Sequence, residues 1–230
     1  MIAITFALRP ESSDFLRLLG NKSRANRNGI GTIRGTIDDR TIEILHTGVG
    51  EKVCRERIGK FLQTQQFAFL ISAGFAGALN DQLQVGDLLV ARNFSTVDLR
   101  RPFFASSAFR MADLLTLPGL IDSREERNHV ARTTGAAAVD METEFIARAC
   151  AVHGIPLFAL RVITDTPTQP FPAPSSVLFD IQQQRTHIAA LARFFLAHPN
   201  RVPGLVQFAR RIARARKNLA DALVEVVRTM

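Results

Sequence analysis

A chain of 230 residues, 47% of them apolar, can bury a sizeable core as one large α/β domain and is too apolar to be disordered. The formal net charge of +8 would suit nucleic acid, but residues 201–230 hold seven basic and two acidic side chains, so most of the excess sits in the tail and a nucleic-acid partner is not expected. The longest apolar run, Phe67 to Leu79, falls far short of the roughly 20 residues of a membrane span, and the opening MIAITFALRPESSDF reads as a first strand, not a basic leader. Cys54 and Cys150 lie outside any CxxC pair or histidine cluster, so they are expected as buried, reduced thiols, in keeping with a cytoplasmic protein.

In chain order, Ile2 to Phe6 predicts a short strand, and Ser12 or Ser13 caps a helix through Phe15, Leu16, Leu18 and Leu19. Asn21 to Gly29 is polar and turn-rich. Strands follow at Gly31–Ile37 and Thr41–His46, split by Asp38-Asp39. Gly48-Val49-Gly50 opens a helix from Lys52 to Thr64, and Phe67 to Ser72 is a strand that ends in the loop Gly74-Phe75-Ala76-Gly77. Asp87 to Arg92 is a further strand, with Asp87 shaping the turn before it. Met111 to Leu117 and Arg124 to Arg132 read as short helices, Ala136 to Val139 as a small strand, and Glu142 to His153 as a helix with Phe145, Ile146, Ala149 and Cys150 on one face. Pro156 to Ile163 is an apolar strand broken only by Arg161, followed by a Pro-rich loop over 167–174. Two helices close the chain: Ile181 to Ala197, then a basic amphipathic one with Leu205, Phe208, Ile212, Ala215, Leu219, Leu223 and Val226 on one stripe.

Strands alternating with helices imply a sheet covered on both faces, with ligands outside the carboxyl ends of the strands. Those ends carry Arg9 and Glu11, the GVG and GFAG loops, Asp140-Met141-Glu142, and Asp165. Glycines there let a ligand approach the backbone, but GVG lacks the dinucleotide spacing and no Walker lysine follows. Taken singly, Asp165 reads as a turn residue, Glu142 as a first-turn helix carboxylate and Glu11 as a solvated one. His46 and His153 have no partners at metal spacing, and no metal or other cofactor is expected.

The order GVG, ISAGFAGAL, LQVGDLLV and AVDMETEFIARACAVHGIPLFALRVITDTP resembles the purine nucleoside phosphorylase and nucleosidase superfamily. Within it, the likeness is to the methylthioadenosine/S-adenosylhomocysteine nucleosidase branch and the neighbouring hopanoid-associated phosphorylases. It runs from residue 1 to about residue 166, and its specific part is the VDME and RVITD pair. The resemblance implies a three-layer α/β/α fold around a mixed, mostly parallel sheet, spanning residues 1–200, with residues 201–230 as a helical extension packed on it. It implies cleavage of the N-glycosidic bond of a 5′-substituted adenosine, and a homo-oligomer, a dimer first. By position, Asp165 matches the general acid that protonates the departing purine, and Met141 and Glu142 match the ribose site. Gly74, Phe75, Ala76 and Gly77 match the substrate loop, and Glu11 matches the carboxylate that positions the attacking water. Such an acid must hold its proton near neutral pH, which burial favours.

The sequence departs from that pattern in three places. Phe75 stands where the nucleosidases carry a serine. The segment from Val97 to Arg132 is short where the base-binding signature belongs, with Asp122 and Ser123 as its remnant, so base contacts do not carry over. Arg9, Gly48 and Gly50 are available for inorganic phosphate, which keeps phosphorolysis of a purine or lipid-linked nucleoside beside hydrolysis. A weakened, nucleoside-binding protein is a third reading. The tail helix packs on the domain in preference to lying on a membrane, because its apolar stripe runs its full length.

Overall fold

A computed structural model describes residues 1–63, 67–100, 108–174, 177 and 188–229. A continuous sheet forms the middle layer. Its strands are β1 (Ile2–Phe6), β2 (Gly20–Arg27), β3 (Ile30–Ile37), β4 (Arg40–His46), β5 (Phe69–Ala78), β6 (Leu88–Ala91), β7 (Phe109–Ala112), β8 (Leu114–Thr116), β9 (Ala138–Asp140) and β10 (Leu157–Asp165). Their spatial order is β2-β3-β4-β1-β5-β10-β6-β7, and the β8-β9 pair branches off β5. The centre β4-β1-β5-β10 is parallel; β2, β3 and β6 run antiparallel to their inner neighbours. β10 reads as a near-continuous apolar run because all nine of its residues are buried, as expected of a strand covered on both faces.

The helices are α1 (Arg9–Leu18), α2 (Glu51–Leu62), α3 (Arg124–Thr134), α4 (Thr143–His153), α5 (Ile188–Ala197) and α6 (Val202–Thr229), with a 3₁₀ turn over Pro199–Arg201 before the last. Alternate strand residues feed opposite cores. Ile4, Phe6, Ile71, Phe158 and Leu160 pack with Phe15 of α1 and Leu219, Leu223 and Val226 of α6. Ala3, Leu45, Leu70 and Leu157 pack with Cys54, Ile58 and Phe61 of α2 and Ile146 and Cys150 of α4. This is the expected three-layer α/β/α arrangement. Both thiols are buried, and burial pushes Cys150 up to about 12 and Cys54 well above the usual thiol range, with the nearby Glu142 charge adding to the effect at Cys54.

The tail helix is part of the main core. Ala215, Leu219, Ala220, Ala222, Leu223, Val226 and Val227 are buried, the larger ones each worth about 1.5–3 kcal/mol. Ion pairs from Arg216 to Asp14 on α1 (2.6 Å) and from Arg228 to Asp38 in the β3–β4 turn (3.0 Å) fix its rotation. No helix among the described residues is long and apolar enough to cross a membrane.

Four local expectations are corrected. The polar 21–29 segment is mostly strand: β2 is an exposed edge strand, tied down where Arg27 grips the buried Glu43 through two hydrogen bonds of 2.6 and 2.5 Å. Residues 111–117 form β7 and β8 in place of a helix. β5 does not stop at Ser72 but continues through the glycines to Ala78, where it meets β9. Helix α1 begins at Arg9 with Leu8 at its cap position, while Ser12 lies one turn in and hydrogen-bonds His46 at 2.8 Å. Of the helix expected over Ile181–Ala197, residues 181–187 lie outside the described residues.

Candidate active site

The carboxyl ends of β1, β4, β5, β9 and β10 converge, and they bring together Glu11, the Gly50 N–H, the β5 glycines, Glu142 and Asp165. Glu11 is the third residue of α1 and folds back so that Oε2 accepts the Leu8 backbone N–H at 3.0 Å. Backbone N–H groups of Ala7 and Phe75 also donate to it. Burial nonetheless dominates: Glu11 is 8% exposed and its carboxyl is raised to about 7. β5 passes close to this carboxylate at Gly74, where a Cβ would sit 3.6 Å from its Oε2, in ordinary van der Waals contact.

Glu142 occupies the cap position of α4. Its Oε1 accepts the Gly50 N–H at 3.0 Å, from a glycine held at φ +83°. Burial, then the neighbouring Asp140 charge, raises its carboxyl to about 8; Glu11 adds to the effect. Both glutamates line one cavity of about 10 Å³ with Thr5, Ser72, Phe75 and Arg161.

The loop bearing Met141 and Glu142 is anchored by Arg161, the lone charge of its strand. Buried Arg161 donates to Asp140 Oδ2 (Nε 3.0 Å, Nη2 2.9 Å), to the Ser72 carbonyl (2.7 Å) and hydroxyl (2.9 Å), and to Thr143 Oγ1 (2.5 Å). Asp140 in turn accepts from Thr116 (2.7 Å) and from the Thr143 hydroxyl and N–H. A buried cation so fully paired fixes the geometry around it.

Asp165 ends β10 beside Gly77, after a register shift, and is 2% exposed. Thr164 donates to its Oδ1 at 2.9 Å, and Arg127 Nη2 lies 2.5 Å from its Oδ2. Burial pushes this carboxyl above its ordinary range, while the Arg127 guanidinium pulls it down. Met141, Gly77, Asp140 and the 119–121 backbone complete a second cavity of about 30 Å³, room for little more than a water.

The structure thus gathers Glu11, Glu142, Gly74 and Phe75 around one cavity and Met141, Gly77 and Asp165 around a second, at neighbouring strand ends, and Ala76 lies buried between Phe75 and Gly77 in the same strand. Arg9 and the GVG loop are placed differently from a phosphate cradle. Arg9 is exposed, Gly48 N–H is taken by the Ala7 carbonyl at 3.0 Å, and Gly50 N–H is taken by Glu142. His46 is packed beside α1, where burial and then the charges of Arg9 and Arg57 lower it to about 4.

Two arginines were missed by motif reading. Arg161 was visible as the single charge in an apolar strand. Arg127 was hidden in the charged stretch SREERNHV, although it shares a helix face with Val130 and Ala131, which pack inward against Leu79 and Val139.

The three-layer α/β/α fold that carries these buried carboxylates on adjacent strand ends is shared with known proteins. Residues 112–197 match the family model described as the Phosphorylase superfamily. A 5′-methylthioadenosine/S-adenosylhomocysteine nucleosidase of Shewanella sp. (strain MR-7) is 22% identical over 198 residues, covering 71% of this chain and 83% of the relative. Among solved structures, that nucleosidase from S. pneumoniae, with a transition-state inhibitor, aligns over 98% of this chain and 97% of its own at a TM-score of 0.70 and 17% identity. Futalosine hydrolase of Helicobacter pylori strain 26695 aligns over 100% and 97% at a TM-score of 0.69 and 17% identity. Over residues 112–197 the chain is thus similar to the Phosphorylase superfamily, and its fold is that of these nucleosidases and of the hydrolase.

Proposed function

We propose that the chain hydrolyses the N-glycosidic bond of a purine nucleoside of the 5′-substituted adenosine type. The observation that carries this reading is the shared burial of Glu11 and Glu142 in one small cavity, with Asp165 at the next strand end. Glu142 takes the sugar hydroxyls and Met141 packs against the sugar. Glu11, with a carboxyl near neutrality, accepts a proton from the water that attacks the anomeric carbon. The C–N bond breaks with its electron pair passing to the base, and Asp165 supplies a proton to the purine. Positive charge on the sugar and negative charge on the base are then met by groups already in place. Use of the Gly48 and Gly50 N–H groups within the protein favours water over phosphate as the nucleophile. The relatives' names, nucleosidases and a hydrolase, point the same way.

The test is a screen of adenosine, 5′-methylthioadenosine, S-adenosylhomocysteine and inosine for free base, in buffers with and without phosphate. Release of adenine that ignores phosphate is expected. Release that requires phosphate overturns the hydrolytic reading, and no release from any nucleoside overturns the activity.

A further inference from the structure

The base end of the cleft contains a cation that the resemblance did not supply. Arg127 is 2% exposed, and its guanidinium is gripped on several sides. Nε and Nη2 donate to the Ile121 carbonyl at 3.2 and 2.9 Å, Nη1 to the Ala78 carbonyl at 2.8 Å, and Nη2 to Asp165. Four bonds hold a planar group whose five N–H donors are fixed in a fork. The sequence builds this locally. Ser123 caps α3 by accepting the Glu126 N–H at 3.1 Å, and Gly135 ends it at φ +73°, which turns residue 127 inward with Val130 and Ala131. Gly77 is required opposite: a Cβ there would lie 2.9 Å from Asp165 Oδ2 and 3.2 Å from Arg127 Nη1.

We infer that Arg127 is the positioning residue for Asp165 in the reaction, holding one carboxyl oxygen in place and stabilising the carboxylate that remains once Asp165 has given its proton to the leaving base. The inference rests on the proposed glycosidic cleavage. The O–H bond of Asp165 breaks as a new N–H bond forms on the purine, and the electron pair of the C–N bond ends on the base. The negative charge left on Asp165 would otherwise be buried alone, which is costly. Arg127 meets that charge at 2.5 Å without rearranging. The other charged groups around Asp165 do not duplicate it. Asp140 on the β9 end is bound by Arg161, and Arg211 on α6 acts on Asp165 more weakly than Arg127 and hydrogen-bonds Gln169 at 2.7 Å. Arg127 therefore makes Asp165 a stronger acid than burial alone would leave it.

The experiment compares Arg127→Met, close in shape but uncharged, with Arg127→Lys, in the full chain. Methionine is expected to lower kcat by about 100-fold for adenine as leaving group. A riboside with a phenolate leaving group that needs no proton should change little. Removing the cation should also move the alkaline limb of the pH–rate profile and the Asp165 carboxyl titration, read by ¹³C NMR, upward by about 1–3 pH units. Lysine should restore part of both. The carboxyl titration separates the two ideas. If wild-type protein cleaves no nucleoside, the proposed function fails. If the Asp165 titration stays put in Arg127→Met, or both leaving groups slow equally, the inference fails whatever the activity. A variant too unstable to assay moves the test to Arg127→Lys, whose full wild-type pH profile and rate would likewise support the inference, while losses equal for both leaving groups would overturn it.

Discussion

In the cavity proposed for the sugar, Glu11 and Glu142 are buried against backbone N–H donors, and neither is in a salt bridge among the described residues. At the base end, Asp165 is as deeply buried but shares its oxygen with Arg127. Burial is the same and the electrostatic solutions differ. Burial raises the glutamates to about 7 and about 8 while their N–H donors pull them only partly back, so on the proposed reading each can exchange a proton with water or substrate. A guanidinium instead commits Asp165 to meeting charge as it develops. Under the proposed function the two sites divide the work of breaking one bond, and each can be disrupted separately.

Glu11→Gln is the most damaging change to the sugar end. The amide cannot accept a proton from water, so kcat should fall by about 10²–10⁴-fold. Wild-type activity should climb through about pH 7 as Glu11 ionises, and that acidic limb should vanish in the variant; a limb that persists would assign it to another group. At the base end, Asp165→Asn preserves shape and removes the acid, with an expected loss of about 10²-fold or more for purine leaving groups. Wild-type turnover of a poor leaving group by that variant would remove Asp165 from the mechanism. Above about pH 8, where Glu142 is ionised, Glu142→Gln should weaken ribonucleosides by about 1.5–3 kcal/mol relative to their 2′-deoxy analogues, since a charge-assisted hydrogen bond to a sugar hydroxyl is lost. Equal losses for both sugars would place Glu142 elsewhere.

The smallest effect concerns stability. Glu11 and Glu142 both have folded values above the ordinary 4.5, so between about pH 4.5 and 8 these two groups bind more protons in the folded chain than in the unfolded one. Stability from these two groups is therefore present at low pH and declines as pH rises through that window. Urea unfolding at pH 5 and pH 8 should show a larger difference for wild type than for Glu11→Gln. The same slope in both proteins would mean that Glu11 is not protonated in the fold.

Much of the sugar end was legible because its signals are local in sequence. VDME sets Met141 and Glu142 at the start of an amphipathic helix, and RVITD sets Asp165 at the end of an apolar strand, so strand-end reasoning placed both. Glu11 followed from its position just after the first strand. The base end was less legible. Its wall comes from a short segment with no family signature, and its key residue is one arginine among many on a helix that reads as solvated. β2 was missed because an edge strand of polar residues has no buried face to pattern; its evidence is the long-range Arg27–Glu43 pair, which sequence spacing does not reveal. The GFAG segment read as a loop, yet it continues a strand, and its glycine at 77 makes room for Asp165. β7 and β8, of four and three residues, are too short for periodicity to separate from a helical turn.

The most direct measurement follows the fate of the sugar. With 5′-methylthioadenosine as substrate in phosphate buffer, released adenine is quantified beside ³¹P NMR of the same mixture. Adenine should appear mole for mole with a free reducing sugar, without a sugar 1-phosphate resonance, and at the same rate when phosphate is left out. A sugar 1-phosphate accumulating with adenine would contradict the account, because it would put phosphate where the structure keeps Gly48 and Gly50 occupied and Glu11 ready for water.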